Sequence, residues 1–335
     1  MSSRWSGTIR GLGIPRPNGT MSRTHAPPGD VTTVSQDFAS ERLPRPIAAL
    51  ASRRAEMLAW FVLLAMGVVF GVSLGSTAVP IDANLYWHTD LNDLYGVVWG
   101  ENEGAFYVYP PVLAQVMVLV RPIGWAAFIA IWTVLLFGAT AYAGRTWGLI
   151  LVLIGVAVFP FVGFDHPLKH PLVYPLIGNI QPLLVACVVA GFRYPALWSI
   201  VLLTKIGPGV GILWFAFRRE WRSLAIAIGS TVALGAVSFV LAPELWLEFV
   251  GFALRNAGTT SPTDVVPIPF SIRIVAVIAL LWWGARTDRR WTVPVAAGLA
   301  AIALYHWTFV EFWMAAPVLW IMDRRSASAE PVRST

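Results

Sequence analysis

"MLAWFVLLAMGVVFGVSLGSTAV", residues 57–79, is an uncharged apolar run. At this length an α-helix crosses a bilayer, because about 20 residues cover the roughly 30 Å of hydrocarbon. The polar and apolar residues do not alternate as they would along a barrel strand. This reading puts the chain in the all-α class, as a polytopic transmembrane helical bundle. The composition agrees: of 335 residues, 57% are hydrophobic and 13% charged, with a mean hydropathy of +0.66, whereas soluble domains are about a quarter charged. The 17 tryptophans suit the headgroup boundary, which favours indole rings.

Upstream of the run stand Arg53 and Arg54, which by the positive-inside rule anchor that end in the cytoplasm. Residues 1–52 are rich in Ser, Thr, Pro, Gly and Arg with no apolar periodicity, and are expected to be a disordered, basic, cytoplasmic segment. The formal charge of +6 comes largely from arginines in short loops, so it reads as a topology signal and calls for no nucleic acid. Cys187 is the only cysteine, which rules out an intrachain disulfide and a cysteine metal cluster.

Downstream, further apolar stretches are expected to cross at about 111–121, 124–144, 147–164, 173–192, 195–217 and 223–242, and a second outer loop covers 243–270. Crossings at about 271–286, 292–306 and 308–322 follow. The walk makes 53–325 one transmembrane domain of about ten spans, with 326–335 as a cytoplasmic tail. Twelve is the alternative count, if 195–217 is a broken hairpin with Lys205 at its apex and 146–178 holds an extra crossing. The expected location is the plasma membrane, multi-pass.

The loop "IDANLYWHTDLNDLYGVVWGENEGAFYVYPP", residues 81–111, carries five carboxylates and no lysine or arginine. Asp82 follows the first span directly; a carboxylate there can serve as general base toward a hydroxyl or cap a short helix. Asp90, Asp93, Glu101 and Glu103 read as solvated charges, and His88 as a weaker candidate. Pro110 and Pro111 fit the first turn of a helix, where missing N–H donors cost nothing, with Tyr107 and Tyr109 as interfacial anchors or sugar-stacking rings.

Lys205 is one of two lysines and falls inside an apolar segment, before Gly207, Pro208 and Gly209. An ionisable group at that depth faces a cavity or a partner, irregular backbone there needs a polar lining, and a cation beside a broken helix suits a phosphate. The alternative is a lysine snorkelling from a span end. Asn179 and Gln181 open another apolar helix, as caps or as hydrogen-bonding partners of a neighbouring span. His306 and Glu311 flank the turn of the closing hairpin and read as satisfied interfacial polar groups. No metal-ligand spacing, phosphate loop or nucleophile elbow is present.

Taken in order, Asp82 with Tyr86, "DLYG" at 93–96, "FYVYPPVLAQ" at 106–115, "RPIGW" at 121–125, "GNIQPLL" at 178–184 and "LLTKIGPGVGILWFAFRREWR" at 202–222 resemble the signature of the family 87 glycosyltransferases. That family is typified by polyprenyl-phosphate-mannose-dependent mannosyltransferases. One departure is that the family's usual Gly-Gln element stands here as Gly-Asn-Ile-Gln.

The resemblance implies a GT-C fold with its site on the outer face and a cell-envelope role. It implies a polyprenyl-phosphate-sugar donor, commonly carrying mannose, and a lipid or glycan acceptor. It implies Asp82 as the base of an inverting transfer and Lys205 at the donor phosphate, with Tyr86, Tyr107, Tyr109, Asn179, Gln181 and His306 as substrate-binding candidates. No cofactor is called for, and an accessory divalent cation is compatible. The competing readings are a polytopic transporter or lipid flippase, which broken helices also suit, and an inactive paralogue.

Overall fold

The computed structural model describes residues 53–74, 81–95, 107–161, 169–256, 268–301 and 309–329. These residues form thirteen α-helices with short 3₁₀ turns and no strand. The expected N-terminal segment 1–52, Glu101, Glu103 and His306 lie outside the described residues. The chain begins with α1 (Arg53–Leu74), α2 (Ile81–Trp87), α3 (Pro111–Val120) and α4 (Trp125–Val158). A bent pair follows, α5 (His170–Ile177) and α6 (Gln181–Gly191), then the short helices α7 (Trp198–Leu202) and α8 (Leu213–Phe217). The chain ends with α9 (Trp221–Leu241), α10 (Pro243–Asn256), α11 (Phe270–Arg286), α12 (Thr292–Leu299) and α13 (Phe309–Ala329).

The long helix α4 is the hub: α1, α5, α6 and α13 all pack on it. Its sequence is apolar all round: one side buries Phe128, Trp132, Leu136, Phe137 and Leu149 against its neighbours, and the other exposes Ile131, Val134 and Leu135. One core runs from Tyr86 and Tyr109 through Trp132, Ile180 and Leu184 to Trp198, Phe215 and Phe312. A smaller one joins Leu63 of α1 to Phe137, Leu149 and Val152 of α4. At Arg145 the backbone leaves the helical region (φ 47°, ψ −135°), which is where the expected spans 124–144 and 147–164 meet.

Among the described residues two helices are long and apolar enough to cross a membrane, Trp125–Val158 and Trp221–Leu241, and the bent pair makes a third if it counts as one span. Helix α9 buries only Ala227 and Ser238 and exposes Val232, Val237, Val240 and Leu241, an apolar surface too extensive for water. Several expected spans take a different form. Helix α3 has ten residues, about 15 Å, half the hydrocarbon thickness. Both its ends meet the 81–95 segment. Arg121 donates to the carbonyl of Trp87 at 2.8 Å and to that of Thr89, while Tyr109, before Pro111, touches Tyr86. So α3 lies beside α2 and is by itself too short to span the hydrocarbon.

The expected span 173–192 is bent by 112° between α5 and α6, and 195–217 is broken at Lys205 into α7, a 3₁₀ turn and α8. Part of the expected loop 243–270 is the helix α10, and α12 stops at Leu299. Helix α13 runs on to Ala329, into the expected tail.

Basic turns gather at one end. Arg218 pairs with Glu220 and Asp288, each at 2.6 Å, and Arg290 pairs with Asp323 at 2.6 Å. Glu311 lies twelve residues before Asp323 on α13, about 18 Å along the axis.

Candidate active site

The site is built on the bend between α5 and α6. Helix α5 ends in a Schellman motif: the Gly178 N–H donates to Pro175 O at 3.3 Å and the Asn179 N–H to Tyr174 O at 2.9 Å. Gly178 takes φ +78°, a conformation that disfavours a side chain. Its missing side chain has a second use, since a Cβ there would sit 2.3 Å from the Cβ of Ala83. The bend and α2 therefore touch backbone to backbone, and Trp132 of α4 pins the turn by donating its indole N–H to Gly178 O at 2.8 Å.

That contact brings Asp82, next to Ala83, against Asn179. The amide Nδ2 donates to Asp82 Oδ2 at 3.0 Å, while Asn179 Oδ1 accepts the Gln181 backbone N–H at 2.8 Å, an Asx turn that opens α6. With both ends of its amide engaged, Asn179 holds one carboxylate oxygen of Asp82. Gln181, 2% exposed, accepts the Lys205 ammonium on Oε1 at 2.6 Å. The Lys205 Nζ also stands 5.7 Å from the centre of the Tyr109 ring, a cation–π distance.

Asp82 lies in α2, outside the apolar crossing segments. Burial lifts its carboxyl above the usual carboxylate range, and the Asn179 hydrogen bond and the Lys205 charge hold it back. The break carrying Lys205 approaches α12 closely: a Cβ on Gly207 would lie 2.2 Å from Ala300 O.

The tyrosines form the floor. Tyr86 and Tyr109 share a hydrogen bond between hydroxyls at 3.0 Å, and Tyr95 donates to Tyr109 O at 2.7 Å. Tyr107 is buried in helix-starting work: its hydroxyl donates to Pro110 O at 2.9 Å and accepts the Ala114 N–H at 2.9 Å. Asp82, Tyr86, Tyr109, Asn179, Gln181 and Lys205 thus converge, whereas Tyr107 supports Pro110–Pro111 from behind. Asp90 is exposed and bound to its own loop through Asn92. His88 is exposed too, its Nδ1 at 3.1 Å from Asn84 O. No group of three or more His, Cys, Asp or Glu residues able to hold a metal occurs among the described residues.

Glu311 differs from its expected role. It is 0% exposed, neither carboxylate oxygen has a hydrogen-bond partner among the described residues, and the charge of Lys205 acts on it. The available signal was the one that marked Lys205, a charged residue within an apolar run: Glu311 is the only carboxylate between Arg290 and Asp323.

Comparison with known families decides the class. A model of glycosyltransferase family 87 matches residues 107–329. The chain belongs to glycosyltransferase family 87. No curated protein and no solved structure matches it. Membership makes the protein a glycosyltransferase, with a donor and an acceptor as substrates, and its long apolar helices are compatible with a membrane enzyme. The matched range holds Tyr109, Asn179, Gln181, Lys205 and Glu311; Asp82 precedes it and joins the family 87 core through the hydrogen bond to Asn179.

Proposed function

We propose that this glycosyltransferase moves a sugar, mannose in the simplest case, from a polyprenyl-phosphate donor to a hydroxyl of a lipid or glycan acceptor at the outer face of the plasma membrane. The observation that carries the reading is the chain Asp82–Asn179–Gln181–Lys205, which joins a base and a cation from distant parts of the sequence.

Asp82 Oδ2 is held by Asn179, and Oδ1 makes no hydrogen bond among the described residues, leaving it to take the proton of the acceptor hydroxyl. The acceptor oxygen attacks the anomeric carbon from the side opposite the phosphate. The new C–O bond forms as the bond to the phosphate oxygen breaks, so a β-linked donor gives an α-linked product. The bonding electrons pass to the phosphate, where the Lys205 ammonium stabilises the developing charge. Gln181 holds that ammonium in place before the donor arrives, so little reorganisation is left for the reaction step.

The direct test is transfer of label from radiolabelled polyprenyl-phosphate-mannose in membranes containing the protein, with lipid and glycan products separated. Label appearing in an acceptor with wild type and lost with Asp82→Asn is the expected result. Transfer from a soluble nucleotide sugar alone overturns the donor assignment.

A further inference from the structure

The buried carboxylate of Glu311 is used by nothing described above. It sits in the first turn of α13, which packs against both arms of the bend that carries Asn179 and Gln181. Its two oxygens are without partners among the described residues. A buried polar group left unpaired is destabilising, more so when charged. The Lys205 charge offsets part of that cost, but the Lys205 ammonium is directed to Gln181 and makes no hydrogen bond to Glu311. A ligand that fills the remaining demand must bring hydrogen-bond donors. A phosphate finds its partner in the Lys205 ammonium and not in Glu311, and a hydrocarbon chain would leave Glu311 unpaired. Sugar hydroxyls satisfy it, since each can donate to a carboxylate oxygen.

We propose that Glu311 is a specificity residue that accepts hydrogen bonds from hydroxyls of the transferred sugar. This rests on the donor reading given above. In such a donor the ring is joined to the phosphate through a single oxygen, so the group that reads its hydroxyls must lie next to the group that holds the phosphate. Glu311 is near enough to Lys205 for the two charges to interact. Asp82, carried by α2 and already oriented by Asn179, is left to the acceptor.

The test compares two lipids, bare polyprenyl phosphate and polyprenyl-phosphate-mannose, binding to the purified full-length chain in detergent. Glu311→Ala is expected to weaken the sugar-bearing lipid by roughly tenfold to a hundredfold, the range for hydrogen bonds to a charged group, and to leave bare polyprenyl phosphate unchanged. Glu311→Gln retains one acceptor oxygen at nearly the same volume and is expected to fall between; it carries the test should the alanine variant not fold. Equal weakening of both lipids, or of neither, overturns the role of Glu311. Wild-type protein that binds neither lipid overturns the donor reading, and this inference with it.

Discussion

At the residue scale, the two groups assigned to chemistry make opposite demands. A general base must be deprotonated to act, and burial raises the carboxyl of Asp82. The transfer rate should therefore climb with pH along an acid limb that lies above the ordinary aspartate range, and level off once Asp82 is ionised. Asp82→Asn keeps the shape and the Asn179 contact surface but loses the base, so the rate should fall by about 10² to 10⁴-fold and the limb should vanish. A wild-type rate in that variant would remove Asp82 from the mechanism. Lys205 must stay a cation to hold a phosphate. Lys205→Met should weaken polyprenyl-phosphate binding by about 3–5 kcal/mol, the usual effect of removing one partner of a desolvated charge pair. Lys205→Arg should recover part of it, because the guanidinium forks onto phosphate oxygens with a different geometry. Affinity unchanged in Lys205→Met would return the side chain to a snorkelling role.

At the element scale, the bend between α5 and α6 matters more than any single helix. Gly178→Ala meets two obstacles at once, the φ of +78° and the Ala83 Cβ at 2.3 Å. The variant should lower the unfolding temperature and push α2 away from the bend, separating Asp82 from Asn179, so transfer should fall with stability. Gly229→Ala is the matched control. A Cβ there meets nothing within 4 Å, and a helix-interior glycine replaced by alanine is stabilised by up to about 1 kcal/mol. If Gly178→Ala unfolds no earlier than wild type, the close approach of α2 is not what the glycine is for.

At the scale of the whole molecule, the polar cluster and the basic turns lie toward opposite ends of α13. Glu311 stands near one end, and Asp323, paired with Arg290, near the other. With arginines favouring the cytoplasm, the proposed outer-face site requires the cluster to face outward. In a Cys187→Ser background, a cysteine at the exposed position Asp93 should react with an impermeant maleimide added to intact cells, and one at Glu220, beside Arg218, should react only after the membrane is opened. The reverse pattern would put the site on the cytoplasmic side and remove the reason for a lipid-borne donor.

Sequence by itself determined the class of the protein. Apolar length, sparse charge and the ordered motifs mark a helical membrane glycosyltransferase. Asp82 and Lys205 stand out in the chain because isolated ionisable groups beside or within apolar segments are costly. Element breaks were legible for the same local reason: Pro110–Pro111 starts α3, and the segment around Lys205 is broken, α7 ending at Leu202 and a 3₁₀ turn starting at Pro208 within the Gly-Pro-Gly. Tertiary structure alone decided three things. It laid α3 beside α2, because hydropathy measures affinity for an apolar environment and does not tell lipid from protein. It folded 173–192 into a bend, because the left-handed turn at Gly178 is held in place by Ala83 and Trp132 from elsewhere in the chain. And it joined Asp82 to Lys205 through Asn179 and Gln181 with Glu311 close by. Those meetings depend on distances between segments far apart in the chain, which periodicity and spacing within one segment do not encode.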